Sequence, residues 1–517
     1  MILRSVRNLA RLIRIVRVLA RHDALFPVEH LAIAETLAPL MRRITPKHVE
    51  GRPGQRLARA LVELGPTFIK LGQALSTRPD LLGDDVTADL TDLQDRLAPF
   101  PFAEAKAIIE AEFEEPLEAL FSSFDETPVA AASIAQVHFA VTTEGAPVAV
   151  KVLRPGVEEQ IRRDIDLFYW MAEIVERTQP MFRRLRPVDT VATFEESVNL
   201  EMDLRFEGAA AAEMGENFAD DETFRVPGID WQRTGQKVMT QERVAGIPID
   251  ERDRLIAAGL DPLEIITNAA NAFFNMVFRD GFFHADLHPG NLFVEENGTI
   301  VAVDFGIMGR VDHDTRRHLG EMLVGFLTGD YRRVSEIHFE AGWVPADKSV
   351  DAFTQAARSI AEPIFGKPIQ DISIARLLGQ LFQVTEQFAM ETQPQLLLLQ
   401  KSMLLAEGIG RTLAPQVNMW ELSQPLVEDW MRDTLGPQAR VRRAAVSLGS
   451  SVERIPAILE HTEKAMTMLS SGGIKLHPDT VKAITRRNAN GRRVGGGLPA
   501  WLPWALVGAL LILWLAK

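Results

Sequence analysis

The sequence predicts an α+β fold in two lobes, a strand-rich lobe followed by a helical one, with a helical extension before them and a transmembrane helix after them. Three observations carry this. Segment 128–152 alternates small and β-branched residues around a Glu144-Gly145 turn, the pattern of a hairpin or meander. A polar cluster, His284-Ala285-Asp286-Leu287-His288-Pro289-Gly290-Asn291, then sits between a helix-patterned stretch and a short apolar hairpin that leads into Asp304-Phe305-Gly306. Beyond residue 312 the pattern is helical to about 430.

Bulk properties narrow the function. A chain of 517 residues can bury more than one core. With 46% hydrophobic and 24% charged residues it has ordinary globular composition. The absence of cysteine excludes disulfides, thiolate catalysis and cysteine-based metal sites. A net charge of −14 argues against nucleic acid as a partner. That charge is uneven, because residues 1–21 carry six arginines and no acid, and no acid follows Asp479.

In order along the chain, segment 1–54 opens with Arg4, Arg7, Arg11, Arg14, Arg17 and Arg21 at steps of three and four, with Leu9, Leu12, Ile13, Val16 and Leu19 filling the other face. This reads as a basic amphipathic helix suited to an anionic membrane surface. Two other readings are a helix packed on its own protein and an Arg-rich targeting peptide. Residues 55–125 continue as a helical extension, with breaks at Pro79 and Pro99. The strand-rich lobe covers 126–245: the hairpin, helical stretches at about 156–178 and 188–217, and a strand pair near 224–244 containing Val238-Met239-Thr240. The helical lobe covers 246–430, opening with a helix at 261–283. A charged linker, 431–497, loosens into Gly491–Gly497. Leu498–Ala516 is 19 residues without a charge, about 28 Å as a helix, with Trp501, Trp504 and Trp514 near its ends. With Arg492 and Arg493 before it, this predicts a single-pass anchor, in the inner membrane if the protein is bacterial, with the catalytic domain cytoplasmic.

The chemistry lies in a few spacings. Asp286, Asn291 five residues on, and Asp304 thirteen beyond that follow the order used by kinase-like phosphotransferases: an Asp for the attacking hydroxyl, then Asn and Asp for magnesium. The layout is thus bilobal and protein-kinase-like, with nucleotide between the lobes. Such a lobe needs a strand lysine for the α/β-phosphates, and Lys151 in Val148-Ala149-Val150-Lys151-Val152 fits. The lysine needs an orienting carboxylate from a helix, and segment 199–207 offers Glu201, Asp203 and Glu207. Leu200, Met202, Leu204 and Phe206 around them predict a largely buried helix, whose acids require cations; Lys151 is one. Lys70-Leu71-Gly72-Gln73 puts a lysine and a glutamine three apart on a helix, with a glycine that permits close approach. His22, His30 and His461 show no ligand spacing, and His288 suits either a phosphate contact or a local hydrogen bond.

Taken together, Lys70-x-Gly72-Gln73, Ala130-Ala131-Ala132-Ser133, Val148–Lys151, Glu201-x-Asp203, His284–Asn291 and Asp304–Gly306 make the chain resemble the UbiB family of atypical protein-kinase-like proteins, over roughly residues 55–430. The resemblance implies a membrane-bound kinase or ATPase that uses ATP or ADP with Mg2+ to support ubiquinone biosynthesis at its early prenylphenol stage. It implies quinone precursors, membrane lipid and other quinone-synthesis enzymes as partners. It makes Asp286 the catalytic base, sets Lys70 and Gln73 over the active site with Lys70 facing Glu201 and Asp203, and pairs Glu207 with Lys151. Asn291 and Asp304 become metal ligands, and Ala130–Ser133 and Met239 join the nucleotide-binding set. Alanines in place of a glycine-rich loop restrict the backbone and crowd the phosphates. Ala285 stands where an ordinary protein kinase has arginine, and no A-P-E follows Asp304, which argues against activation-loop switching. The competing readings are a small-molecule kinase of the aminoglycoside or choline kinase type, a protein kinase acting in trans, and a non-catalytic nucleotide-binding scaffold.

Overall fold

Proline and glycine punctuate the N-terminal extension into short helices that stack on one another. The computed structural model describes residues 2–26, 50–76, 82–91, 93, 97–178, 186–363, 384, 385, 387–390, 394–415, 425 and 426. The extension comprises α1 (Ile2–Arg21), α2 (Pro53–Leu64), α3 (Pro66–Leu75) and α4 (Asp84–Thr91). Pro53 and Pro66 occupy first-turn positions, where a missing N–H costs nothing. Gly65, at φ +105°, makes the bend between α2 and α3. Ile15, Val18, Leu19 and Ala20 of α1 bury against Leu57, Leu61, Phe68 and Ile69. Its arginines are in part engaged by the same protein: Arg7 meets Asp166 at 2.8 Å, Arg21 meets Glu63 at 2.7 Å, and Arg11 pairs with buried Asp164, which also accepts from Thr67 Oγ1 at 2.8 Å. Arg14 and Arg17 are exposed.

Gly72 explains how α3 lies so close to its neighbours. A Cβ there would sit 2.7 Å from both Leu61 Cδ1 and Leu93 Cδ2. Gly72→Ala is therefore expected to cost about 1–3 kcal/mol through overpacking. Urea denaturation reads this, and an unchanged midpoint would show that the leucines yield freely.

The first lobe opens with α5 (Phe102–Phe113) and α6 (Leu117–Leu120). Its strands are β1 (Phe121–Phe124), β2 (Ala130–Ala131), β3 (Ala135–Thr142) and β4 (Pro147–Leu153). The sheet thus starts at 121, earlier than the 126 boundary. The strands expected as a pair near 224–244 part company: β5 (Phe224–Arg225) joins the other lobe, and β6 (Val238–Glu242) pairs antiparallel with β4. The sheet order is β1-β3-β4-β6, with β2 on β3. Val148, Val150 and Val152 point from one face of β4 into a core with Ile109 and Val238, so Lys151 leaves from the other face. Helices α7 (Val157–Thr178), α8 (Pro187–Glu201) and α9 (Leu204–Asn217) pack there, Val157, Val198 and Leu204 sharing a core with Leu153 and Met239. The helix expected over 188–217 is broken at Met202-Asp203, because Asp203 caps α9 by accepting from Arg205 N at 3.1 Å.

The second lobe contains β7 (Ile247–Pro248), α10 (Arg252–Ala257) and α11 (Pro262–Phe274). The helix expected to run to 283 instead widens over Asn275–Asp280, turns at Gly281 (φ +67°) and becomes β8 (Phe282–His284). The hairpin β9 (Leu292–Val294) and β10 (Ile300–Ala302) is as expected, and β11 (Met308–Arg310) pairs with β8. Then follow α12 (His313–Thr328), α13 (Tyr331–Glu340), α14 (Val350–Ala361) and α15 (Pro394–Leu413). Leu399, Ile409 and Leu413 of α15 share a core with Phe283, Ala285, Leu287 and Phe305.

The expected single-pass anchor requires correction. Among the described residues no helix is long and apolar enough to cross a membrane. The helices of sufficient length, α1, α7 and α15, all carry charges and pack against the protein. The linker 431–497 and the apolar stretch 498–516 lie outside the described residues. The inner-membrane location and cytoplasmic orientation rested on that stretch and are not supported.

Candidate functional site

One ammonium group stands between two carboxylates at the junction of the lobes. Lys151 Nζ on β4 lies 2.6 Å from Glu207 Oε1 on α9 and 3.2 Å from Asp304 Oδ1 after β10. Burial is the largest influence on Lys151 and would lower its pKa, but the charges of Asp304 and Glu207 outweigh it and hold the amine above its usual value. For Asp304, burial opposes ionisation, yet Lys151, with help from Lys70, holds it down at about 2. Glu207 is the loser of this competition, since burial pushes it up to about 7 despite Lys151.

A stability prediction follows with a definite sign. Glu207 rises from its usual 4.5 to about 7, so between those values the folded protein holds a proton that the unfolded chain releases. The stabilisation is fully present below pH 4.5 and is lost as pH climbs through 7. Ligand-free wild type should therefore lose up to about 3 kcal/mol relative to Glu207→Gln between pH 5 and 8. Denaturant melts of both proteins across that range would show parallel curves if the idea is wrong.

The catalytic segment is held by its own backbone. His284 is fully buried, and burial keeps its pKa low and the ring neutral. Asp286 N donates to His284 Nδ1 at 3.1 Å, which assigns the ring proton to Nε2, 3.3 Å from Val303 O. Asn291 Nδ2 donates to Asp286 O at 3.0 Å, so its amide oxygen is free to face a cation. His288 takes the local role, with Nδ1 accepting from Gly290 N at 3.1 Å. Asp304 adopts the left-handed region at φ +64°, which Asp and Asn tolerate better than most residues.

The K-x-G-Q helix reaches this site. Lys70 Nζ lies 2.6 Å from Glu201 Oε2, both largely buried. Asp203, the other acid expected opposite Lys70, pairs with Arg205 at 2.6 Å besides capping α9. Gln73 Oε1 is buried without a hydrogen-bond partner among the described residues. The alanine-rich loop is firmly tied. Ala130 and Ala131 pair with Val137 and Gln136 on β3, Ala132 N donates to Ala135 O at 2.8 Å, and Ala132 O accepts from Arg154 Nε at 2.9 Å. Ser133 is fully buried. Met239 lies across from Lys151 in the register of β4 and β6 and is buried with Ile134, Leu153 and Leu204, so it backs the site.

Sequence reasoning missed Lys401. Its Nζ lies 2.8 Å from Asp286 Oδ1, bridging 115 positions of chain. In Gln400-Lys401-Ser402-Met403 it carries no local signal and reads as an ordinary helical lysine.

The donor set suits magnesium. Among the described residues no three or more His, Cys, Asp or Glu side chains cluster to form a protein-only metal cage. One carboxylate (Asp304) and one amide oxygen (Asn291) are what Mg2+ takes from protein when nucleotide phosphates and water complete its shell.

Comparison with known proteins agrees. The ABC1 atypical kinase-like domain matches residues 92–338, and the UbiB helical domain matches 357–418. A probable protein kinase UbiB of Marinobacter nauticus is 41% identical over 476 residues, covering 90% of this chain and 86% of that one. One from Vibrio cholerae is 42% identical, covering 88% and 85%, and one from Pseudomonas paraeruginosa is 38% identical, covering 97% and 98%. Among solved structures, Rv3197 of Mycobacterium tuberculosis, in a complex with erythromycin, aligns with a TM-score of 0.52 at 25% identity, covering 76% of this chain and 98% of that one.

Proposed function

The chain belongs to the UbiB family of ABC1 atypical kinase-like proteins, and from that premise we propose that it consumes Mg-ATP in support of ubiquinone biosynthesis, at the early prenylphenol hydroxylation stage. The observation that carries this reading is Lys151 set between Glu207 and Asp304, with Asp286 and Asn291 on the adjoining loop.

Lys151 holds the α/β-phosphates, and Glu207 fixes its direction. Magnesium on Asn291 and Asp304, when bound, would neutralise charge on the β- and γ-phosphates. Asp286 takes the proton from the attacking hydroxyl as the new O–P bond forms and the bond from phosphorus to the departing ADP oxygen breaks. With water as acceptor the products are ADP and phosphate; with a lipid hydroxyl they are ADP and a phosphoester. The helix carrying Lys70, tied to Glu201 at 2.6 Å, would obstruct a polypeptide substrate if it lies over the cleft, which favours water or a small lipid over a protein acceptor. Gln73, on the same helix, contributes its unpaired oxygen.

The test places Asp304→Asn at the native locus and quantifies ubiquinone and prenylphenol precursors in lipid extracts. Lost ubiquinone with accumulated precursor, at normal protein level, is the expected outcome. A normal quinone pool would sever the proposed link to ubiquinone.

A further inference from the structure

The acids around the cleft draw their cations from different layers of the fold. Lys70 of the extension serves Glu201, and Lys151 of the sheet serves Glu207 and Asp304. Asp286 lies outside both arrangements. The two histidines of its segment do not supply the charge: burial keeps His284 neutral, and the His288 ring accepts from the loop backbone. Its cation comes from α15, where Lys401 Nζ stands 2.8 Å from Asp286 Oδ1.

This contact is built rather than incidental. The Lys401 side chain is only 16% exposed and that of Asp286 31%. The neighbouring Ser402 is fully buried, and its hydroxyl lies 3.2 Å from His284 O and 3.0 Å from Leu398 O. Leu399, two positions before Lys401, packs in the core that contains Ala285 and Leu287. Helix α15 thus grips the catalytic segment by its backbone at His284 and by its carboxylate at Asp286. An exposed lysine–carboxylate pair is worth little and orders nothing; this one is anchored on both sides.

We propose that Lys401 is a positioning residue for Asp286, so that the helical region beyond the kinase-like domain takes part in catalysis. Its ammonium holds one carboxylate oxygen, which leaves the other for the acceptor proton. It also offsets the repulsion between Asp286 and the terminal phosphate of the nucleotide, which would otherwise push the carboxylate out of line. The inference rests on the reading of the site as one that turns over Mg-ATP.

The full-length wild type, Lys401→Ala, Lys401→Arg and Asp304→Asn are compared for kcat, KM for ATP and melting temperature. Lys401→Ala should lower kcat at least about tenfold with KM changed less than about threefold, since misplacement of a reacting group by about 1 Å is enough. Lys401→Arg, which keeps the charge, should recover kcat to within about threefold of wild type. Wild-type kcat in Lys401→Ala, alongside Asp304-dependent turnover in the parent, would overturn the role of Lys401 alone. An Arg variant as slow as the Ala variant, with both melting early, would return Lys401 to a packing role. Absence of Asp304-dependent turnover in the wild type would instead remove the reading of the site, and this inference with it.

Discussion

Asp304→Asn is expected to lower Mg-ATP turnover by about 10²–10³-fold while leaving the protein folded. On the proposed reading Asp304 would be the charged member of the metal-binding pair, and an amide cannot replace its charge where negative charge develops on the transferring phosphoryl group. Folding is spared for two reasons. Asn accepts the left-handed backbone at φ +64° as readily as Asp does. Removing the charge also leaves Lys151 with Glu207 as an undivided partner at 2.6 Å, and this removes the Asp304 repulsion that adds to burial in pushing Glu207 upward. Turnover at saturating magnesium and a thermal melt would check both halves. A variant within about threefold of wild-type kcat would mean that the metal is held elsewhere.

The second large effect concerns stability. Lys151→Met leaves Glu207 and Asp304 facing each other without their shared cation. Breaking a buried pair from one side commonly costs about 3–5 kcal/mol. The Asp304 side chain is 47% exposed, so water carries part of its charge, and a loss of about 2–4 kcal/mol is expected. The double variant Lys151→Met/Glu207→Gln should recover most of that loss, because it removes the stranded buried charge rather than adding a contact. If Lys151 holds the nucleotide as proposed, ATP should raise the melting temperature of the wild type and of neither variant. Native stability in the single variant at pH 8, above the Glu207 value of about 7, would show that the pair contributed nothing.

Much of the site was legible because its signals are local. The β3–β4 hairpin alternates with period two around Glu144-Gly145, and that register fixes the face from which Lys151 emerges. Asp286, Asn291 and Asp304 lie within 20 residues, bounded by short apolar strands, so spacing alone sets them around one loop. Glu207 was reached through family resemblance, and its carboxylate lies 2.6 Å from Lys151. Elsewhere local pattern misled. The stretch 188–217 has uninterrupted helical pattern, but Asp203 stops it, since a side-chain cap competes with the helix it sits in. The two strands of 224–244 look like a hairpin, but β5 finds a parallel partner in β10. The basic N-terminal helix left open an anionic surface or packing on its own protein; Arg7, Arg11 and Arg21 meet acids of this same chain, while Arg14 and Arg17 are exposed.

What the sequence by itself determined was the order of the candidate groups and the strand that carries Lys151, because these depend on neighbours a few residues apart. What only the tertiary structure decided was which charge answers which: Lys70 to Glu201 rather than Asp203, Lys151 shared unequally between Glu207 and Asp304, and Lys401 to Asp286. Such pairings depend on distances of a few ångströms between segments scores of residues apart. Only packing sets those distances, and at that range an ångström decides both the Coulomb energy and the desolvation that opposes it.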